Sequence, residues 1–351
     1  MHALMQKYEA IGLSVAVVKD WDIVYAHSFG YKNREDSIPL SPNDLFRIAS
    51  VSKTFVATAI MQLAELGRLS LDDDVNNYLH FKVQNPKYPE IPITVRMLLC
   101  HRSSINDSQG YKTFDKINPF VNPQFSKCYC DFAPDSSYVY CNLNYNLLGA
   151  IIENVTGKRL DAYIHENIVL PLNLHGSFNV LDLDSSLFVR AYRYGKQDDT
   201  LTLSTETYQP FVQQMSNYRL GYSTPFLSAA GGMKITVQEL ATYMMMHMNK
   251  GEYRGRRIIS KESEDRMREV QTPESQYALS LKHYKNIVPG KKLIGQTGGA
   301  YGIHTAMIFH PEAGYGFVVF CNGCKSKSAD GHELNFGIIK ELYYRLIQEN
   351  H

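Results

Sequence analysis

The chain has 351 residues, 44% of them hydrophobic and 20% charged, which suits a large folded core and excludes a disordered or fibrous protein. Its 36 lysines and arginines nearly cancel 35 aspartates and glutamates, so no overall field draws nucleic acid or an anionic membrane, and a small-molecule or peptide substrate is the expected partner. The longest apolar runs, Ile11 to Val18 and Gly316 to Cys321, are far too short for a transmembrane segment.

In chain order, residues 12–30 hold two β-rich runs separated by a polar Lys19-Asp20 turn, the pattern of an antiparallel hairpin. From Ser50 to Leu66, Val51, Phe55, Ala59, Leu63 and Leu66 recur at helical spacing, and Gly67 stands where a helix ends. Residues 70–225 mix helical patterns (Val95 to Leu99, Asn144 to Val155, Leu160 to Glu166) with Pro-, Asn-, Ser- and Tyr-rich loops. A helix over Thr236 to Met248 follows, then strands at Lys292 to Gly295, His304 to His310 and Gly316 to Cys321, then a closing amphipathic helix over Glu333 to Gln348. Strands at both ends with helices between predict an α/β plus all-α fold. One antiparallel sheet domain, residues 1–69 and 226–351, is flanked by helices, and a helical, loop-rich lobe, residues 70–225, is inserted.

The chemistry-bearing residues begin with Ser50-Val51-Ser52-Lys53 at the start of the first long helix. Unpaired N–H groups and the helix dipole stabilise negative charge there. Lys53, one turn on, lies on the same face as Ser50, and a lysine out of water loses proton affinity and can act as a base. The flanks extend the tetrad: Phe46-Arg-Ile-Ala-Ser50-Val-Ser-Lys53-Thr-Phe55, then Gln62 to Asp72, then Ile93-Thr-Val-Arg-Met-Leu-Leu-Cys-His101. This segment resembles the nucleophile region of class C β-lactamases, DD-peptidases (penicillin-binding proteins) and their esterase relatives, although Arg102-Ser103-Ser104 replaces the usual Thr-Ser-Gly. The resemblance covers roughly residues 8–345 and implies a β-lactamase/transpeptidase-like fold.

Of three Tyr-x-Asn triplets, at Tyr31, Tyr140 and Tyr284, only Tyr140-Cys141-Asn142 has flanks that match the family's second element. The resemblance makes Tyr140 a second general base, its phenol acidified by Lys53, and Asn142 a partner of the substrate's acyl side. The third element, Lys-Thr-Gly or His-Thr-Gly in relatives, is Gln296-Thr297-Gly298-Gly299 here. Thr297 and Gly299 are expected to bind substrate, with the amides of Ser50 and Gly299 as oxyanion hole. Gln296 is expected at the place of the cation that holds a substrate carboxylate. Its neutrality favours an ester or amide without a critical carboxylate, or a cell-wall peptide bound differently, over antibiotic destruction. Lys291 or Lys292 is a candidate to compensate. Ala230-Gly231-Gly232 and Tyr277-Ala-Leu-Ser280 are read as structural.

No HExxH, zinc-finger spacing, GxxxxGK, GxGxxG or GxSxG is present, so no metal or cofactor is expected and an α/β-hydrolase elbow is excluded. Six cysteines are too few for a disulfide scaffold and leave the compartment open. His304 is a secondary candidate for lining the cleft. The N-terminal stretch does not read as a signal peptide. The resemblance places the protein in the periplasm or cell envelope if a leader has been removed, and otherwise in the cytoplasm. The expectation is a serine hydrolase working through an acyl-enzyme at Ser50, Lys53 and Tyr140. The alternatives are a slowly deacylating penicillin-binding receptor and an inert binding scaffold. Oligomeric state is not legible.

Overall fold

The computed structural model describes residues 1–195, 200–210, 212–325 and 332–348. A seven-stranded sheet forms its centre. Its strands are β1 (Gly12–Lys19), β2 (Asp22–Asn33), β3 (Ile38–Pro39), β6 (Lys282–Tyr284), β7 (Leu293–Ala300), β8 (Ile303–Phe309) and β9 (Tyr315–Cys321), with β4 (Phe46–Arg47) and β5 (Lys234–Ile235) forming a separate antiparallel pair. The sheet order is β6-β7-β8-β9-β1-β2-β3, antiparallel at every step, so C-terminal strands close directly on the N-terminal hairpin. The hairpin turn lies one residue later than the sequence predicts: Asp20 and Trp21 both take positive φ, 51° and 69°, and Lys19 faces Asp22. Positive φ at both central residues matches the right-handed twist of the flanking strands.

Alternation sorts the apolar strands between two cores. On β1, Leu13, Val15 and Val17 face one cluster while Ala16 and Val18 face the other, and β9 repeats this with Phe317 and Val319 against Val318 and Phe320. The smaller cluster is closed by α1 (His2–Lys7) and α8 (Glu333–Leu342). The larger cluster joins the sheet to α2 (Ser52–Glu65), α3 (Val95–Leu99), α4 (Asn142–Thr156), α5 (Leu160–Ile164) and α6 (Val237–Met248), while α7 (Lys261–Arg268) packs at its edge. This is the expected antiparallel sheet flanked by helices, continuous in its larger core with the helical segment.

Helix α2 is buried along almost its whole length, which its mixed apolar and small residues permit. It ends where Gly67 takes φ 64°, a conformation that costs glycine little. Phe55 stacks on Tyr243 of α6 at 3.8 Å, and the Thr58 and Tyr243 hydroxyls meet at 2.8 Å. These contacts fix the rotation of α2, and with it the direction in which its first turn presents Ser50 and Lys53. Among the described residues no helix is long and apolar enough to cross a membrane.

Candidate active site

Ser50 sits in a short 3-10 turn, Ala49–Val51, that leads into α2. The preceding Ala49 takes φ 47°, a left-handed conformation that costs a residue with a Cβ and persists only where its surroundings enforce it. Strand β7 helps enforce it. A Cβ on Gly298 would stand 2.5 Å from the Ile48 carbonyl oxygen and 2.8 Å from the Ser50 nitrogen, so glycine is what lets the strand pass this close to the serine. Thr305 on β8 donates to the same Ile48 carbonyl at 2.8 Å.

Lys53 is wholly buried. Its ammonium donates to Ser50 Oγ at 3.0 Å, Asn142 Oδ1 at 2.8 Å and the Ala230 carbonyl at 2.7 Å. Three acceptors match its three N–H groups. Burial lowers its pKa to about 7, against the smaller opposing pull of Asp107 and Cys141, so a proton can leave this amine near neutral pH. Ala230, expected to be structural, is thus a direct partner of the lysine.

Tyr140 donates its hydroxyl proton to Ser50 Oγ at 2.7 Å, so Lys53 and Tyr140 converge on one oxygen. The expected acidification of Tyr140 by Lys53 is not found. The ammonium lies 5.0 Å from the ring centroid, burial pushes the phenol up, and only the Ser50 hydrogen bond opposes it. Tyr140 is 39% exposed and lines the cavity, so water offsets part of that push. The free protein therefore pairs a lysine readily neutral with a tyrosine that keeps its proton.

Asn142 opens α4, and its alignment depends on Asp107, which the sequence reading missed. One Asp107 oxygen accepts from Asn142 N at 2.8 Å and Asn142 Nδ2 at 2.9 Å, and the other accepts from Leu143 N at 3.0 Å and Cys141 Sγ at 3.2 Å. This carboxylate caps the helix from a distant loop, where no local residue of α4 supplies a side-chain cap. Beneath Tyr140, His101 packs among Tyr140, Tyr145 and Tyr277 with centroids 4.4, 5.3 and 5.0 Å away. Burial first, and the nearby Lys53 second, hold His101 well below its ordinary pKa, while its Nδ1 accepts from Cys141 N at 3.2 Å.

Gln296 takes a different place from the one expected. Its side chain is buried, donates to Tyr277 Oη at 2.7 Å and the Ser280 carbonyl at 2.9 Å, and accepts from Thr297 N at 3.0 Å. It does not line the cavity in front of Ser50, and neither does Thr297; Gly299 does. The Tyr277–Ser280 segment is the seat of Gln296 and forms isolated bridges, not a strand. His304 pairs with Gly299 across β7 and β8 and packs edge-on to His332, outside the cavity lining. The cysteines are free thiols, and no group of side chains among the described residues is arranged to hold a metal ion.

The cavity itself measures about 410 Å³, room for a small acyl compound. Ser50, Tyr140 and Asn142 line it together with Arg47, Phe178 and Lys234. Neither Arg47 nor Lys234 carried a sequence signal; Arg47 lies within the Phe46–Phe55 segment and Lys234 two residues after the Ala230-Gly231-Gly232 turn.

A family model described as Beta-lactamase matches residues 1–335. Penicillin-binding protein 4* of Bacillus subtilis (strain 168) is 33% identical over 180 residues, 49% of this chain but 38% of that protein, so the match spans well under two thirds of the relative. An octameric penicillin-binding protein homologue from Pyrococcus abyssi superposes with TM-score 0.78 at 28% identity, covering 98% of this chain and 76% of the other. The D-amino acid amidase of Ochrobactrum anthropi SV3 shares the fold with TM-score 0.75 at 19% identity, covering 97% and 96% of the two chains.

Proposed function

Because the chain belongs to the beta-lactamase family, we propose that it is a serine hydrolase that cleaves an ester, amide or peptide bond through an acyl-enzyme on Ser50. The observation that carries this reading is the convergence of Lys53 Nζ and Tyr140 Oη on Ser50 Oγ, at 3.0 and 2.7 Å. Both groups are within direct proton-transfer reach of the nucleophile. Neutral Lys53 takes the Ser50 proton as Oγ bonds to the substrate carbonyl carbon. The amides of Ser50 and Gly299 hold the resulting oxyanion. Tyr140, which keeps its proton in the free enzyme, delivers it to the leaving group as the carbon–heteroatom bond breaks, and the proton held on Lys53 restores the phenol. Water then adds to the acyl-enzyme and releases the acid and Ser50. Asn142, locked by Asp107 and Lys53, orients the acyl half.

The inward turn of Gln296 supports substrates that need no carboxylate contact at that strand. The relatives' names, a penicillin-binding protein and a D-amino acid amidase, make benzylpenicillin, D-amino acid amides and simple esters the compounds to test. Intact-protein mass after mixing each with wild type and with Ser50→Ala tests the reading. A mass increase that requires Ser50 and decays with product release is expected. No Ser50-dependent adduct or turnover with any of the three would overturn it and leave the fold as a binding scaffold; an adduct that never decays would indicate a receptor.

A further inference from the structure

The cavity carries more positive charge than the chemistry at Ser50 uses. Arg47 on β4 and Lys234 on β5 are directly opposite residues of that two-stranded pair, so their side chains leave the same face, and both line the cavity. Like charges at such a position repel. The Arg47 guanidinium donates to the carbonyls of Gly231 at 2.7 Å and Thr207 at 3.1 Å and to Ser228 Oγ at 3.3 Å. Lys234, only 4% exposed, donates to the Phe178 carbonyl at 2.6 Å. All four acceptors are neutral, and the two cations offer twice as many N–H groups as the acceptors they meet.

No carboxylate is in ion-pair contact with either cation among the described residues, and the nearest acids hydrogen-bond to other groups. Asp182 accepts from Ser177 Oγ at 2.8 Å and Asn179 Nδ2 at 3.1 Å, and Asp161 is paired with Arg159 at 2.6 Å. Glu206 is the one carboxylate among the lining residues, is exposed, and forms no ion pair with either cation. Burial depresses the proton affinity of both cations and Arg47 depresses Lys234 further, while Asp182 and Asp161 oppose the fall at Lys234 from a distance and nearby tyrosines oppose it at Arg47. Buried charge without a contacting counter-charge is costly, and a cavity that keeps two such groups side by side is suited to an anion that arrives with the ligand.

We propose that Arg47 and Lys234 form a subsite for a carboxylate carried by the substrate at a distance from the scissile bond, which makes acidic acyl compounds the preferred substrate class. Gly231, the anchor of Arg47, lies against Ala49, whereas Tyr140 reaches Ser50 from the segment just before α4. Since Tyr140 supplies the leaving-group proton, the carboxylate belongs to the acyl half. The identity of what bears the carboxylate rests on the serine-hydrolase reading above; the anion subsite does not.

The test compares two isosteric esters, 4-nitrophenyl hydrogen glutarate and 4-nitrophenyl 4-carbamoylbutanoate, with calorimetric titration of glutarate alone in parallel. Wild type should favour the acid over the amide by at least about tenfold in kcat/KM, the scale of one charge-assisted contact. Lys234→Met should lower that ratio about tenfold and abolish glutarate binding, and Lys234→Arg should preserve both. An acid-to-amide ratio that is the same in wild type and Lys234→Met, glutarate binding that survives Lys234→Met, or no glutarate binding to wild type at millimolar concentration overturns the proposal. If neither ester is turned over, the assignment to acidic acyl substrates fails, the serine-hydrolase reading is left to the compounds named for it above, and the glutarate titration still decides the subsite.

Discussion

Two buried lysines serve the same cavity under opposite conditions. Lys53 finds three acceptors, one of them the proposed nucleophile; Lys234 finds a single carbonyl and faces a guanidinium across the β4–β5 pair. Burial lowers the proton affinity of both, so desolvation alone does not assign a role. What differs is the company each keeps. A lysine whose every N–H is directed can pass a proton along a fixed line, whereas one with unused donors and a like-charged neighbour is a binding group awaiting its counter-ion.

The sharpest way to break the comparison is to remove the lysine assigned to chemistry. Lys53→Met should cost about a thousandfold or more in kcat on a neutral ester, within the range of a general base, while Lys234→Met should not approach that loss. Wild-type kcat/KM should also carry an acid limb centred near pH 7, where Lys53 titrates. Because the base form is the active one, activity falls as pH drops below that value, by about tenfold per unit, and is level above it. A limb near 7 that persists in Lys53→Met would assign it to another group. Tyr140→Phe keeps the ring over Lys53 and removes the donor to Ser50; a loss of about a hundredfold is expected, larger for poor leaving groups than for 4-nitrophenol, which needs no proton. A uniform loss across leaving groups would instead give Tyr140 a positional role.

Much of this was legible in the sequence because local rules govern it. Val51 to Leu66 announce a helix by apolar spacing and Gly67 ends it, so Ser50 and Lys53 must share a face; β8 and β9 announce strands as short, continuous apolar runs. The flanks of Tyr140 and Asn142 placed those residues by resemblance, and the structure brings them to Ser50 Oγ and Lys53. What could not be read depends on side-chain direction across long sequence separations. The resemblance led to the expectation that Gln296 stands at the place of a cavity cation, yet its side chain turns toward Tyr277, nineteen residues upstream in the chain. Arg47 and Lys234 meet only because β4 and β5 pair over a separation that no local pattern reveals. Asp107 lies in a loop with no periodicity to mark it.

Asp107 offers the next test, because it holds Asn142, the residue proposed to orient the acyl half, without itself lining the cavity. Asp107→Ala removes four hydrogen bonds at the start of α4 and should destabilise the fold by about 2 kcal/mol, the scale of a lost helix cap with charge-assisted bonds. Asp107→Asn should retain part of both stability and activity, since its amide oxygen still accepts. The readout is the denaturant midpoint together with kcat. Equal kcat in Asp107→Ala and wild type would show that Asn142 stays aligned through Lys53 alone.

The smallest expected effect has the most telling sign. If Lys234 is a binding group that waits for its counter-ion, the free protein bears the cost, and Lys234→Met should raise stability by about 1 kcal/mol through relief of the Arg47 repulsion and of lysine burial. The pH dependence follows from the direction of the shift. The folded-state pKa lies well below the ordinary 10.5, so at neutral pH the unfolded chain binds a proton that the folded chain holds poorly. The penalty is therefore greatest on the acid side and disappears as pH rises through about 10.5, where the unfolded lysine also becomes neutral. The melting temperature of Lys234→Met should exceed that of wild type at pH 7 and converge on it toward pH 10.5. Saturating glutarate should raise wild type and leave the variant unmoved, narrowing the gap from the other side. A destabilised Lys234→Met at pH 7 would mean that the Phe178 contact and the lysine stem contribute more to the fold than the unpaired charge subtracts, and the contrast between the two lysines would reduce to one of packing.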